Sequence, residues 1–163
     1  MLRKKIFNYK CDDDCPENTI YNTEEGICKC SHKYYYDSTH NEYICLGESE
    51  ECDTKGYNFK ELDGNECFNS LNDCKSKGKK IFNNQCYSSC PTNTVEKTGD
   101  NQICICGNFY TEENGVYNCF DNDKACKEAN SEYEYTNIQT KECFKTKNDC
   151  KNKNGNDDKC QYY

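Results

Sequence analysis

The chain has no tryptophan, one methionine, two prolines and two histidines, and Leu, Ile, Val and Phe together supply only 21 of its 163 residues. So little apolar material, with a formal net charge of −8, falls short of a conventional hydrophobic interior and by itself matches an unfolded chain. No apolar run reaches the length that a membrane span needs, and the basic segment from Met1 to Phe7 lacks the apolar stretch of a secretory signal. No Asn-x-Ser/Thr sequon occurs among 22 asparagines. The acidic balance argues against a nucleic-acid partner, which calls for basic patches.

Catalytic patterns are missing too. There is no Ser-His-Asp or Cys-His order, no glycine-rich phosphate loop and no paired-carboxylate motif, so neither enzyme activity nor a cofactor is expected. His32 and His40 flank the tyrosine run at 34–36 and have no counterpart later in the chain, and they read as solvated loop residues. The acidic runs Asp12 to Asp14, Glu48 to Glu51 and Asp121 to Asp123 lack the twelve-residue calcium loop and read as solvated faces. Structural zinc sites favour Cys-x2-4-Cys knuckles or spaced histidines; no Cys-x2-Cys is present, both Cys-x3-Cys pairs, Cys11 with Cys15 and Cys86 with Cys90, are followed by proline, and no metal is expected.

What the chain does have is cysteine, 17 residues of it. That density marks a disulfide scaffold, the usual device of modules too small to bury a sufficient core, and implies an oxidising, extracellular compartment. The chain is accordingly read as one piece of a longer secreted protein. Each bridge closing a loop of about 15 residues is worth roughly 3 kcal/mol.

The cysteines are organised by a repeat. Lys80-Ile81-Phe82-Asn83 leading to Cys86, Cys90 and Pro91 answers Lys5-Ile6-Phe7-Asn8 leading to Cys11, Cys15 and Pro16. Cys28, Cys30, Cys45, Cys52, Cys67 and Cys74 are answered by Cys104, Cys106, Cys119, Cys126, Cys143 and Cys150. Two repeats are expected, 1–79 and 80–156, with 157–163 opening a truncated third around Cys160 and further copies in the parent chain. Between cysteines, short runs of aromatic and β-branched residues alternate with turns at Glu25-Gly26, Ser38 to Asn41, Asp63-Gly64 and Asn114-Gly115, which predicts hairpins. Only 67–74, 119–126 and 143–150 suggest a helical turn. The expected fold is small, all-β and disulfide-rich: two tandem repeats of short β-hairpins stacked into an elongated rod.

Two pairing schemes stay open. Neighbour pairing joins Cys15 to Cys28, Cys30 to Cys45, Cys52 to Cys67, Cys74 to Cys86, Cys90 to Cys104, Cys106 to Cys119, Cys126 to Cys143 and Cys150 to Cys160, leaving Cys11 for a preceding repeat. Shifting it by one would force bridges across a single residue, Cys28 to Cys30 and Cys104 to Cys106, which are strained. An interlaced scheme joins Cys11 to Cys28, Cys15 to Cys30, Cys45 to Cys67 and Cys52 to Cys74.

The order Cys74, Cys86, Cys90, Cys104, Cys106, Cys119, with Phe109-Tyr110 after the fifth, is similar over about half a repeat to epidermal-growth-factor-like modules. That resemblance implies Cys74 with Cys90, Cys86 with Cys104 and Cys106 with Cys119. The expected pairs are Cys30 with Cys45, Cys52 with Cys67, Cys106 with Cys119 and Cys126 with Cys143.

Aromatics supply the candidate binding residues: Tyr34, Tyr35, Tyr36 and Tyr43, and Phe109, Tyr110 and Tyr117, on facing strands of corresponding hairpins. Strand alternation sends Tyr34 and Tyr36 to one face and Tyr35 to the other. One face is expected to cover disulfides and the other to be open to a protein partner, with Tyr35 on the open side.

Cys67-Phe68 with Asp73-Cys74, followed by Lys79-x-Ile81-Phe82-Asn83-Asn84-x-Cys86-Tyr87-x2-Cys90-Pro91 on an Asn-, Lys- and Tyr-rich background, resembles the cysteine-rich repeats of scaffoldins from anaerobic gut fungi. The resemblance spans nearly the whole chain and implies a non-catalytic, cohesin-type module of a secreted cellulosome. Its partners would be dockerin domains of plant-cell-wall-degrading enzymes. The alternative is the repeat stalk of a protist cell-surface adhesin or antigen.

Overall fold

The computed structural model describes residues 5–8, 10–154 and 159–162, and of residues 5, 6, 11, 12 and 154 the backbone only. The chain is mostly β and carries eight disulfides, all joining neighbours in sequence: 15–28, 30–45, 52–67, 74–86, 90–104, 106–119, 126–143 and 150–160. It divides into two compact units, one of residues 1–79 and 84–88, the other of 80–83 and 89–163, with four disulfides in each.

In the first unit the strands are β1 (Lys5–Phe7), β2 (Lys10–Asp12), β3 (Thr19–Asn22), β4 (Ile27–Cys30), β5 (Tyr34–Asp37), β6 (Glu42–Cys45), β7 (Phe59–Lys60) and β8 (Glu66–Phe68), followed by helix α1 (Leu71–Ser76). Hairpins do form, but they join in twos. The sheet orders are β2-β1-β4-β3 and β6-β5-β8-β7, with a parallel pair at each centre: Ile6 beside Ile27, and Tyr34 and Tyr35 beside Glu66 and Cys67. Lys80–Phe82 (β9) is counted with the second unit, whereas Gln85–Tyr87 (β10) closes the first. There Cys86 bridges Glu61, accepts from the Leu62 amide at 3.0 Å and is cross-linked to Cys74 on α1.

The second unit continues with β11 (Thr94–Lys97), β12 (Asp100–Cys106), β13 (Phe109–Glu113), β14 (Val116–Phe120), α2 (Asp123–Ala129), β15 (Tyr135–Asn137), β16 (Glu142–Phe144), α3 (Lys147–Asn154) and β17 (Cys160–Tyr162). β9, β12 and β11 lie side by side, with Ile81 parallel to Ile103. β14-β13-β16-β15-β17 forms the second sheet, with Tyr110 parallel to Glu142. The parallel contacts Ile6 to Ile27 and Tyr34 to Glu66 thus have their equivalents about 75 residues on.

Local chemistry accounts for the turns and helices. Asn114 and Gly115 have φ of 53° and 79°, the left-handed pair that a two-residue hairpin needs. Ser70 caps α1 by accepting from the Asp73 amide at 3.1 Å, Thr146 does the same for Asp149, and Asn122 caps α2 at Ala125. The helices are longer than the single turns expected: α3 runs past Cys150 to Asn154. Isolated helices of six to eight residues are marginal, and here Cys74, Cys126 and Cys150 pin one each.

The interior is built on sulfur. Leu46, Cys52 and Cys67 are buried together with Tyr35 and Tyr57 against them, and Cys126, Tyr133 and Cys143 with Phe109 and Phe120. The pairing implied by the epidermal-growth-factor likeness, Cys74 with Cys90 and Cys86 with Cys104, is not the one found. Cys86 faces inward from β10 toward α1, while Pro91 leads Cys90 away to the turn before β11, opposite Cys104 on β12. The interlaced pairing is absent as well: Cys28 and Cys30 on β4 are taken by Cys15 ahead of β3 and by Cys45 on β6, Cys52 and Cys67 are joined to each other, and Cys74 is joined to Cys86. Cys11 sits on β2, and its side chain lies outside the described residues, as do residues 157, 158 and 163 of the expected third copy. No described helix is long and apolar enough to cross a membrane.

Candidate binding surface

Strand alternation divides the tyrosines of β5 as its period of two requires. Tyr34 and Tyr36 share a face with Tyr43 of β6, their ring centroids 5.8 and 5.2 Å from that of Tyr43. Tyr35 points the other way and stacks on Tyr57 at 4.4 Å over the Leu46, Cys52 and Cys67 cluster. It is therefore a core-side ring, and the expectation that Tyr35 lies open to a partner is corrected by its contact with that cluster. Phe109 is likewise packed against Cys126, Tyr133 and Cys143. Of the five remaining candidates, four form two equivalent pairs, Tyr34 with Tyr43 and Tyr110 with Tyr117, the latter 5.7 Å apart, and Tyr36 extends the first.

An asparagine holds each pair in place. Asn8, at the turn after β1, donates from its side chain to the Tyr43 carbonyl at 2.8 Å and accepts from the Tyr43 amide at 2.9 Å. Asn83, after β9, does the same to Tyr117 at 2.8 and 3.0 Å. Both have positive φ, 47° and 48°, where asparagine is tolerated better than most residues. The Lys-Ile-Phe-Asn signature thus carries a clip: its side-chain amide imitates a strand and closes the exposed edges of β6 and β14.

Beneath each pair lies a buried glutamate that the sequence reading did not single out. Glu66 and Glu142, each opposite the inner tyrosine of its pair, are 7% and 4% exposed. Lys79 reaches Glu61 at 2.6 Å and Glu66 at 3.6 Å, and Lys153 reaches Glu112 and Glu142 at 2.6 Å each. Burial pushes the Glu66 carboxyl upward against the opposing pull of Lys79. Burial opposes the charge of Lys79, but the hydrogen bond and charge of Glu61 outweigh it and hold its pKa up. The Tyr34 phenol is raised to about 12 by burial and by the fields of Glu66 and Glu61, and Tyr110 is raised by burial and Glu142. The visible signal was the recurrence of Glu-Cys-Phe at 66–68 and 142–144 with lysines in the helix region that follows.

On the first unit the tyrosine row borders a groove of about 670 Å3 walled by Phe7, Ile27, Tyr34 and Tyr43, with Glu61 and Asn65 among its polar lining. At the other end of the row Lys77 sits 4.3 Å above the Tyr36 ring and 5.7 Å from Tyr43. In the second unit Glu112 takes the place of Tyr36, so Lys153 makes an ion pair where Lys77 makes a cation–π contact.

The expected pairs Cys30–Cys45, Cys52–Cys67, Cys106–Cys119 and Cys126–Cys143 are all cross-linked. Sixteen thiols are consumed in this way, and among the described residues no group of three or more His, Cys, Asp or Glu side chains is placed to share a metal ion. His40 Nδ1 lies 2.7 Å from Asp37 at an exposed turn. Comparison with protein-family models, with curated proteins and with solved structures found no match in any of the three.

Proposed function

We propose that the chain is a non-catalytic protein–protein interaction module of a secreted scaffold, and that its partners are dockerin domains of plant-cell-wall-degrading enzymes. The observation that carries this reading is the pair of half-exposed tyrosines set on a disulfide-pinned sheet in the same way in both units, Tyr34 with Tyr43 and Tyr110 with Tyr117. Tyrosines held rigid in this manner lose little entropy on binding and are enriched at protein interfaces. Eight disulfides suit an extracellular setting. The dockerin partner follows from the likeness to fungal scaffoldin repeats, and repetition of such a module raises the local concentration of whatever it binds.

Calorimetric titration of the oxidised chain with several fungal dockerin domains tests it. Saturable binding that Tyr43→Ala and Tyr117→Ala each weaken is expected. No heat at concentrations on the order of tens of micromolar across the set would leave the protist adhesin stalk as the better account.

A further inference from the structure

We infer that the groove beside Tyr34 in the first unit receives a lysine or arginine side chain of a protein partner, laid across the Tyr34 and Tyr43 rings next to an apolar side chain that fills the Phe7 and Ile27 wall. The inference deepens the interaction reading above and rests on it only for the partner's family, not for the chemistry of the groove.

Three observations converge. First, the tyrosine row already takes a cation at its other end, where Lys77 lies 4.3 Å over Tyr36; among the described residues no lysine lies over Tyr34. Rings in such a row bind cations through their faces, more strongly where water is excluded. Second, two carboxylates stand beside Tyr34: Glu66 is its partner on the adjacent parallel strand, and Glu61 lines the groove with it. Lys79 is engaged between them at 2.6 and 3.6 Å, and Lys29 on the groove wall is drawn off by Glu25 at 2.6 Å. Third, the second unit differs at this place. Asn65, whose carbonyl accepts from the Tyr34 amide at 2.9 Å, corresponds to Lys141, whose carbonyl accepts from Tyr110 at 2.9 Å. Glu61 corresponds to Asn137. Both changes remove negative charge beside Tyr110, and the carboxylate the second unit gains, Glu112 in the place of Tyr36, is already paired with Lys153 at 2.6 Å, so the basic side chain is selected by the first unit and repelled by the second. Across the whole chain a net charge of −8 draws in a basic partner from a distance.

The test uses the oxidised full chain and three synthetic peptides of equal length and equal leucine content, carrying lysine, glutamine or glutamate at the same positions, followed by NMR titration. The lysine peptide is expected to shift the resonances of Tyr34, Tyr43 and Asn65 and to leave those of Tyr110 and Tyr117 in place. Its affinity should fall about fivefold or more with Asn65→Lys or Tyr34→Leu, and further on raising the salt from about 50 mM to about 500 mM. Asn65 is exposed and only its backbone is engaged, so the lysine variant keeps the fold; its unchanged spectrum elsewhere verifies this. Equal binding of the glutamine or glutamate peptide, no shift with the lysine peptide at roughly 1 mM, or indifference to Asn65→Lys would overturn the inference. If a dockerin domain binds but neither salt nor Asn65→Lys alters its affinity, the dockerin reading stands and this one fails. If no dockerin binds while the lysine peptide does, the outcome is the reverse.

Discussion

Among single residues, asparagine does more than its polarity suggests. Seven of the eight described non-glycine residues with positive φ are asparagines, Lys141 being the exception. A left-handed backbone costs most side chains about 1 kcal/mol or more, and asparagine less. At Asn83 the conformation and the clip onto Tyr117 coincide, and two substitutions separate them. Asn83→Gly keeps the backbone and loses the two hydrogen bonds, with an expected cost of about 1–2 kcal/mol in chemical denaturation. Asn83→Ala loses both and should cost about 1 kcal/mol more. A second residue-scale prediction concerns Tyr34. Its folded pKa stands near 12, above the ordinary value of 10, so its contribution to stability is complete below pH 10 and is lost as the pH climbs through 12. Ultraviolet titration should show late-ionising phenols, one of which Tyr34→Phe removes; if all tyrosines ionise together near pH 10, neither burial nor the buried carboxylates act on it. These roles were not legible in the sequence. Abundant asparagine reads there as background, and Glu66 and Glu142, charged residues beside cysteines, read as exposed until the parallel partner strand is known.

Elements here are short, and each owes its persistence to something outside itself. The Ser70 and Thr146 caps recur three residues before Asp73 and Asp149, and Ser70→Ala or Thr146→Ala should cost about 1 kcal/mol each. Tyr35→Ala should lower thermal stability by about 2 kcal/mol, because the ring it removes stacks on Tyr57 over a buried disulfide; binding through Tyr34 and Tyr43 should survive. An unchanged melting temperature would instead return Tyr35 to the surface. Hairpins were readable because turn chemistry is local: Asn114-Gly115 and the loops around Gly26 and Asn41 announce themselves. At Asp63-Gly64 the turn was readable but its cause was not. Gly64 is needed for room, since a Cβ there would overlap the Glu61 side chain. The joining of hairpins was not readable at all. A contact such as Ile6 to Ile27 or Tyr34 to Glu66 spans 21 to 32 residues and is set by packing, with no local signal.

For the molecule as a whole, the cysteine register in the sequence was a good guide because disulfides follow proximity, and every described bridge spans a short separation of 10 to 17 residues along the chain. The growth-factor likeness misled at Cys74, Cys86 and Cys90, where order along the chain is the same and direction in space is not. With so few buried hydrophobic side chains, reduction should unfold both units, and circular dichroism after dithiothreitol is expected to lose its strand signal. The compact units also depart from the duplication: the first takes in 84–88 from the start of the following repeat, including the Cys86 that receives Cys74. A fragment of residues 1–79 should therefore retain an extra reactive thiol at Cys74 in a maleimide assay, and a fragment of residues 1–88 should not.

That bond also imposes a schedule. During synthesis the bond between Cys74 and Cys86 can close only once residue 86 has been made, so the first unit is sealed after residues 80–83, the opening strand of the second, have already left the ribosome.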